Sequence, residues 1–368
     1  MTSAWLGLTA PFAVIMLATG ALLYAMPRLT RPDLYFAITV LPEFPGSADG
    51  RRILTRYRTM VVLASAIALP LLCVGGPRGS LALPVAALLV QDAGWLAAYF
   101  LARAQVKPHA AAATTIRDAL LSSTPARIPG SWPVLVGPFI LLGAVAFYLN
   151  HRWADIPERF PIHWGLDGHP NGWATHTVAG VYGPLCIAAV VCIMLTALAY
   201  GILHGTRLIR PGGRAGEAEA GFRVTVARIV IGAEYLLAAV FGWTAILPLM
   251  KLASAPPVVW GVLVPTLAFV VVAIALVIRK GQGGTRLLRE SPEIGADDGV
   301  KPVGDRTEDR YWKAGFLYVN PQDPAFLVEK RFGLGYTLNF GHPGAWMILA
   351  ALVLAPLVVG LVVALAGK

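Results

Sequence analysis

Charge is scarce in this sequence. Only 14% of its 368 residues are charged, against 57% that are hydrophobic, whereas soluble domains carry about 25% charged residues. With a mean hydropathy of +0.65, that scarcity excludes an ordinary soluble domain and points to a membrane protein. Cysteine is sparse too. Cys73, Cys186 and Cys192 lie within or at the ends of apolar runs, show no metal-ligand spacing and read as small buried hydrophobes. Catalytic signatures are missing as well: HExxH, GxSxG, a Walker loop and a pyrophosphate fingerprint are all absent. Neither an enzyme nor a bound cofactor is expected.

Long apolar runs are abundant. Eight of them stand out, at 4–26, 60–74, 81–102, 133–149, 178–203, 224–250, 257–278 and 344–365, and most are long enough to cross a ~30 Å hydrocarbon layer. The second and fourth are the shortest. No Lys or Arg precedes the first run, and it is too long for a cleaved leader, so it reads as a retained span. The expectation is an all-α polytopic membrane protein of about eight transmembrane helices.

The net charge of +10 is distributed as a topology signal and not as a nucleic-acid surface. Counting Lys and Arg in successive loops gives 6, 1, 4, 2, 4, 1 and 10, the alternation that the positive-inside rule produces. It assigns the odd loops to the cytoplasm and both termini to the outside of a plasma membrane. The bilayer, with its anionic headgroups, is then the partner of the arginines at 51, 52, 56 and 58. No nucleic-acid partner is expected.

Two acids fall inside spans, Asp92 in the third and Glu234 in the sixth. At 1.5 Å per residue both lie near the midplane. An ionisable group at that depth costs about 2.5–3.5 kcal/mol, so both are expected to face the bundle interior. There they serve as a proton or cation relay, or as neutral acids that join helices by hydrogen bonds. Each span also carries a proline: Pro11, Pro70, Pro84, Pro138, Pro184, Pro248, Pro265 and Pro356. Repeated kinks in the outer half of the bundle would leave room for a cavity there.

Residues 156–177, IPERFPIHWGLDGHPNGWATHT, are the densest cluster of turn-forming and aromatic residues before the C-terminal third. Asp167-Gly168 and Asn171-Gly172 are two reversal signals separated by His169-Pro170. Residues 160–164 read as extended because Pro161 disfavours helix at Phe160. Thr175 or Thr177 is a plausible helix cap, and Trp164 and Trp173 suit a membrane–water interface. The segment is expected to form a small folded cap on the outer face. His163, His169 and His176 have Asp155, Glu158 and Asp167 nearby, but their spacing matches no standard zinc motif, and no metal site is assigned.

The last cytoplasmic segment changes character. Residues 281–309 are rich in Gly, Pro and charge and read as a linker. Residues 311–346 look ordered, with strand candidates at 316–319, 326–328 and 336–340 and turns at Asn320-Pro321 through Asp323-Pro324 and at Gly333/Gly335. A small β-rich element delivering the chain into the last span is the natural assignment. The resulting organisation is a four-helix region at 1–149, the outer loop with span five at 150–203, spans six and seven at 204–278, a linker at 279–310, and the β-rich element with span eight at 311–368.

Two resemblances follow from these motifs. The segment with Pro157, Ile162-His163-Trp164, Gly168, Pro170, Gly172 and Trp173 resembles the domain of unknown function DUF1648, although Gly165 stands where that family usually has Asn and His176 where Lys is common. The segment with Trp312, Tyr318, Asn320-Pro321, Asp323-Pro324, Gly333, Gly335, Thr337 and Asn339 resembles the module of unknown function DUF5808. The first resemblance implies kinship with a multispanning immunity protein that protects bacterial cells from a toxin and signals through a cytoplasmic repressor. Two readings stay open. One is a receptor or immunity-type protein that binds a peptide toxin or hydrophobic ligand outside and meets a cytoplasmic regulator. The other is a proton- or cation-coupled transporter using Asp92 and Glu234, and beside both stands the plainer alternative of a scaffold that positions other membrane proteins.

Overall fold

The computed structural model describes residues 2–31, 33–75, 82–113, 131–164, 170–204, 213–250, 255–285, 305 and 307–366. Eight long helices dominate it: α1 (Thr2–Leu29), α2 (Ala48–Gly75), α3 (Ala82–Val106), α4 (Ser131–His151), α5 (Val178–His204), α6 (Gly213–Met250), α7 (Ala255–Lys280) and α8 (Pro343–Ala366). The first seven are long and apolar enough to span a membrane. In α8 the described apolar stretch is the shorter Pro343–Leu354. The chain is a multispanning all-α membrane protein, and among the described residues its strands occur only in small two-stranded pairs.

Two spans begin earlier than hydropathy indicates. α2 starts at Ala48, so the arginines at 51, 52, 56 and 58 ride on the first turns of the span helix. α6 likewise starts at Gly213. Charged residues do not break a helix; they only prevent it from being counted as membrane-embedded. Arg58 shows the consequence, its guanidinium lying 4.4 Å from the Tyr24 ring centroid of α1.

The helices pack in two groups. α1, α2 and α3 form one, with Met16, Ala68, Leu72 and Ala87 at one end and a larger cluster around Tyr57 and Tyr99 at the other. Their approach is close: a Cβ on Gly94 of α3 would lie 2.4 Å from the Cβ of Ala64. α4, α5 and α6 form the second group, with α7 against α6 and α8 against α5, and α1 packs on α7 where the two groups meet. The helices continue through Pro11, Pro70, Pro138, Pro184, Pro248 and Pro265.

Each face of the bundle carries a small β element. On one face a hairpin joins α4 to α5, with β3 (Arg159–Trp164) antiparallel to β4 (Pro170–Thr175). On the other face, called here the basic face, lie two further elements. The loop after α1 holds β1 (Leu34–Tyr35) and β2 (Ile38–Thr39). The segment before α8 holds β5 (Trp312–Lys313), β6 (Leu317–Tyr318), β7 (Leu327–Glu329) and β8 (Tyr336–Leu338). A parallel bridge between Tyr318 and Asn339 ties the last two pairs together.

Candidate functional site

The hairpin between α4 and α5 has an inner and an outer side. Phe160 turns inward with Ile156 and joins Leu142, Leu149, Val181 and Leu185 in a buried cluster. The space beneath the hairpin is therefore filled by side chains, where the prolines had led to the expectation of a cavity. Thr177 caps α5, its Oγ1 accepting the Gly180 N–H at 3.1 Å. The His176 ring lies 4.4 Å from that of Trp153, which in turn stacks on Tyr182 at 5.9 Å. This histidine belongs to the support of the hairpin.

The outer side is exposed. Ile162 is 52% and Trp173 45% accessible, and His163 is exposed as well. The Arg159 guanidinium sits 5.1 Å from the Trp173 ring centroid, a cation–π arrangement. His163 Nδ1 meets Asn171 Oδ1 across the pair. Asn171 and Gly172, expected to form a turn, lie inside β4 instead. The register explains the glycine: it pairs with His163, and a Cβ there would come within 2.8 Å of the His163 Cβ. Pro170 opens β4 and Trp164 closes β3. Asp167, Gly168 and His169 lie outside the described residues. Among the described residues, no cluster of His, Cys, Asp and Glu is placed to hold a metal ion.

The two intramembrane acids have different surroundings. Glu234 is fully buried on α6, and its Oε2 accepts a hydrogen bond from Thr196 of α5 at 3.1 Å. Its Oε1 is buried without a hydrogen-bond partner among the described residues. Asp92, expected inside the bundle, is exposed on α3. One residue earlier on the helix, Gln91 takes the inward position, donating through Nε2 to the Met16 carbonyl at 2.9 Å and to Ser65 Oγ at 3.1 Å. A shift of 100° around the helix separates the two. The neutral amide holds the interior and the acid faces out.

The module before α8 shows what its motif residues do. Asn339, with no exposed surface, is its hub. Its Nδ2 donates to the carbonyls of Asn320, Asp323 and Ala325 at 2.8, 3.2 and 3.1 Å, while its Oδ1 accepts from the backbone of Asn320 and Gly341. Tyr318 donates its hydroxyl to Asp323 Oδ2 at 2.8 Å, and Asp323 Oδ1 accepts from the Ala325 N–H. Pro321 and Pro324 flank this turn, and Gly333 and Gly335 turn the chain with φ of 99° and 86°. Trp312 donates through Nε1 to Thr307 Oγ1 at 2.8 Å. These motif residues hold together by hydrogen bonds a segment whose own apolar cluster is small.

The buried charges around it were not singled out from the sequence. Arg331, fully buried, forks onto Asp305 with two hydrogen bonds of 2.9 Å, also pairs with Asp309, and lies over the Trp312 ring at 5.2 Å. Burial would raise the Asp305 carboxyl, but the Arg331 charge and hydrogen bonds hold it below the usual range. Arg31 pairs with Asp33 at 2.9 Å and reaches Glu329 at 3.6 Å. Arg223 of α6 lies 3.6 Å from Glu219. In the sequence the arginines at 31, 223 and 331 enter only as members of the loop-charge counts. Asp305 and Thr307, read as linker, belong to the module.

Residues 321–346 match the family of unknown function DUF5808, and residues 139–185 match the domain of unknown function DUF1648. No curated protein and no solved structure matches the chain. The DUF1648 match covers the greater part of α4, the hairpin and the first turns of α5, and the DUF5808 match covers the module from its Asn–Pro turn into α8. The chain is thus a multispanning membrane protein that carries a DUF1648 module on one face and a DUF5808 module on the other.

Proposed function

We propose that this protein is a receptor of the immunity type, which captures a peptide or hydrophobic ligand on the hairpin and relays its presence to the opposite face. The observation that carries this reading is the exposed pair Ile162 and Trp173 on a hairpin whose inner side rests on α5 and α6. Those same two helices reach the module on the basic face, where Ile202, Phe222 and Val226 pack with Leu327. An apolar exposed surface ringed by Arg159 and His163 suits an amphipathic peptide. In this reading the basic face is cytoplasmic by the positive-inside rule, the hairpin and both termini lie outside the plasma membrane, and the module faces a cytoplasmic regulator. No catalysis is assigned.

The test is survival. Cells expressing the chain are challenged with a synthetic Lys/Leu amphipathic peptide, and compared with cells expressing a variant in which His163, Trp164 and Trp173 are alanine. Protection that disappears in a correctly inserted variant supports the reading, and unchanged protection refutes it.

One observation favours a second reading, a proton- or cation-coupled transporter. Glu234 is buried between α5 and α6 with one oxygen lacking a hydrogen-bond partner among the described residues, and such acids mark ion pathways in membranes. Asp92, being exposed, has no part in it. Full flux in proteoliposomes bearing Glu234→Gln would end that reading.

A further inference from the structure

The DUF5808 module sits where the two helix groups meet, and it grips each of them differently. Toward α1–α3 it inserts two aromatic rings. Phe332 lies 5.8 Å from Phe36 and 4.7 Å from Tyr99, and Phe316 lies 4.6 Å from Tyr99. Toward α5–α7 it offers Leu327, Tyr336 and Leu338, which pack with Ile202, Phe222, Val226 and Val277. Gln282, just after α7, exchanges two hydrogen bonds with the backbone of Gly335, at 3.0 and 3.1 Å.

The contact with α1–α3 is made by two hairpin tips. Phe36 and Ala37, between β1 and β2, have φ of 46° and 62°, and Ala314 and Gly315, between β5 and β6, have 53° and 83°. Both are turns with two central residues in the left-handed region, matching the twist of a tight hairpin. They meet at α3. The Tyr99 hydroxyl donates to the Ala314 carbonyl and Arg103 Nη1 donates to the Phe36 carbonyl, each at 3.0 Å. A Cβ on Gly315 would fall 2.3 Å from the Tyr99 hydroxyl and 2.7 Å from the Ala37 Cβ. Three of these four turn residues are not glycine, so the joint carries left-handed backbone at residues with a Cβ, a strained conformation.

Charge then bolts the joint. Thr39 of the first hairpin donates to Asp309, the acid that pairs with Arg331. Arg31, from the loop after α1, reaches Glu329 of β7. Removing one partner of such a buried pair strands the other charge.

We propose that Asp305 and residues 307–342 form a releasable clasp that locks α1–α3 to α5–α7 on the basic face, with Arg331 as its bolt. The clasp opens as a unit without unfolding the helices, and opening leaves the packing of α1 on α7 as the remaining joint between the two groups, about which they can swing. This stands independently of any ligand of the hairpin.

The experiment uses the full chain in nanodiscs, with Cys73→Ser, Cys186→Ser and Cys192→Ala as background. Spin labels at Lys107→Cys, beside the end of α3, and Glu217→Cys, on the first turns of α6, report the separation of the groups by pulsed electron resonance. Hydrogen exchange reports the clasp. Amides of 312–340 should exchange together, at least a hundredfold faster than those in the middle of α5 and α6, with a single narrow label distance. Arg331→Gln should accelerate clasp exchange at least tenfold and broaden that distance, leaving helicity and α5–α6 protection unchanged. Arg331→Lys, which keeps the charge and loses the fork, should fall between and serves where the glutamine variant fails to fold. Clasp amides as protected as the helices overturn the proposal. So does an unchanged distance in a folded variant with an exchanging clasp.

Discussion

Replacing Gly315 by alanine isolates the contact between the two hairpin tips. The substitution carries two costs. A left-handed backbone costs an alanine about 1–2 kcal/mol, and φ here is 83°. The new methyl would also stand 2.3 Å from the Tyr99 hydroxyl, 2.7 Å from the Ala37 Cβ and 2.9 Å from Arg103 Nη1. Overpacking of that kind costs about 1–3 kcal/mol. The combined penalty, about 2–5 kcal/mol, corresponds to roughly thirtyfold to several thousandfold faster opening of the module, since 1.4 kcal/mol is tenfold. Gly335 supplies the control. Its φ is 86°, and a Cβ there meets nothing within 4 Å, so Gly335→Ala carries only the backbone term. The assay is hydrogen exchange of 312–340 in the full chain, and the quantity of interest is the difference between the variants. If Gly315→Ala is as mild as Gly335→Ala, the tips are not pressed together and the docking account is wrong.

Further outcomes follow from the same contacts. Because Arg331 holds Asp305 below its unfolded value, the stabilisation is present above about pH 4, the unfolded value, and is lost as pH falls through the folded one. Trp312 fluorescence in an otherwise tryptophan-free chain should change in that acid range, and Asp305→Asn should weaken the module at neutral pH and flatten the profile. Gly172→Ala should disturb the hairpin by about 1–3 kcal/mol, since its methyl meets His163 at 2.8 Å, with exchange accelerating in 159–175 and not in the module. Gln91→Leu should destabilise the α1–α3 group by about 1 kcal/mol in a detergent-unfolding titration, having lost two hydrogen bonds. Asp92→Asn, at an exposed position, should leave that titration unchanged.

The helices were legible because spanning a bilayer demands about 20 apolar residues in a row, and that demand leaves a coarse mark. The hairpin's strands were half legible. Pro161 signalled extended chain at Phe160, but Asn171-Gly172 looked like a reversal because the same glycine that suits a turn also suits a close cross-strand approach. The module's turns at Asn320-Pro321 and Gly333/Gly335 were visible from local chemistry, and Asn339 was visible only by resemblance. Asp92 misled because depth along a helix says nothing about rotation, and Gln91 was the inward neighbour. The clasp escaped notice for a different reason. Arg31, Arg223 and Arg331 fit the loop-charge alternation so well that they ask for no other explanation; Asp33 and Glu219 stand close by in sequence but carry no sign of burial, and Asp305 and Asp309 lie inside an apparent linker. Pairing across about 300 residues, as between Arg31 and Glu329, leaves no local pattern to read.

The most direct test of the account joins its two faces in one measurement. Hydrogen exchange of the full chain in nanodiscs is recorded with and without the Lys/Leu amphipathic peptide. Peptide binding should slow exchange in strands β3 and β4 and change it across 312–340. In Arg331→Gln the hairpin response should persist while the module, already open, no longer responds. Unaltered exchange in the hairpin at saturating peptide would contradict the receptor reading, and protection confined to the hairpin in the wild-type chain would contradict the relay through α5 and α6.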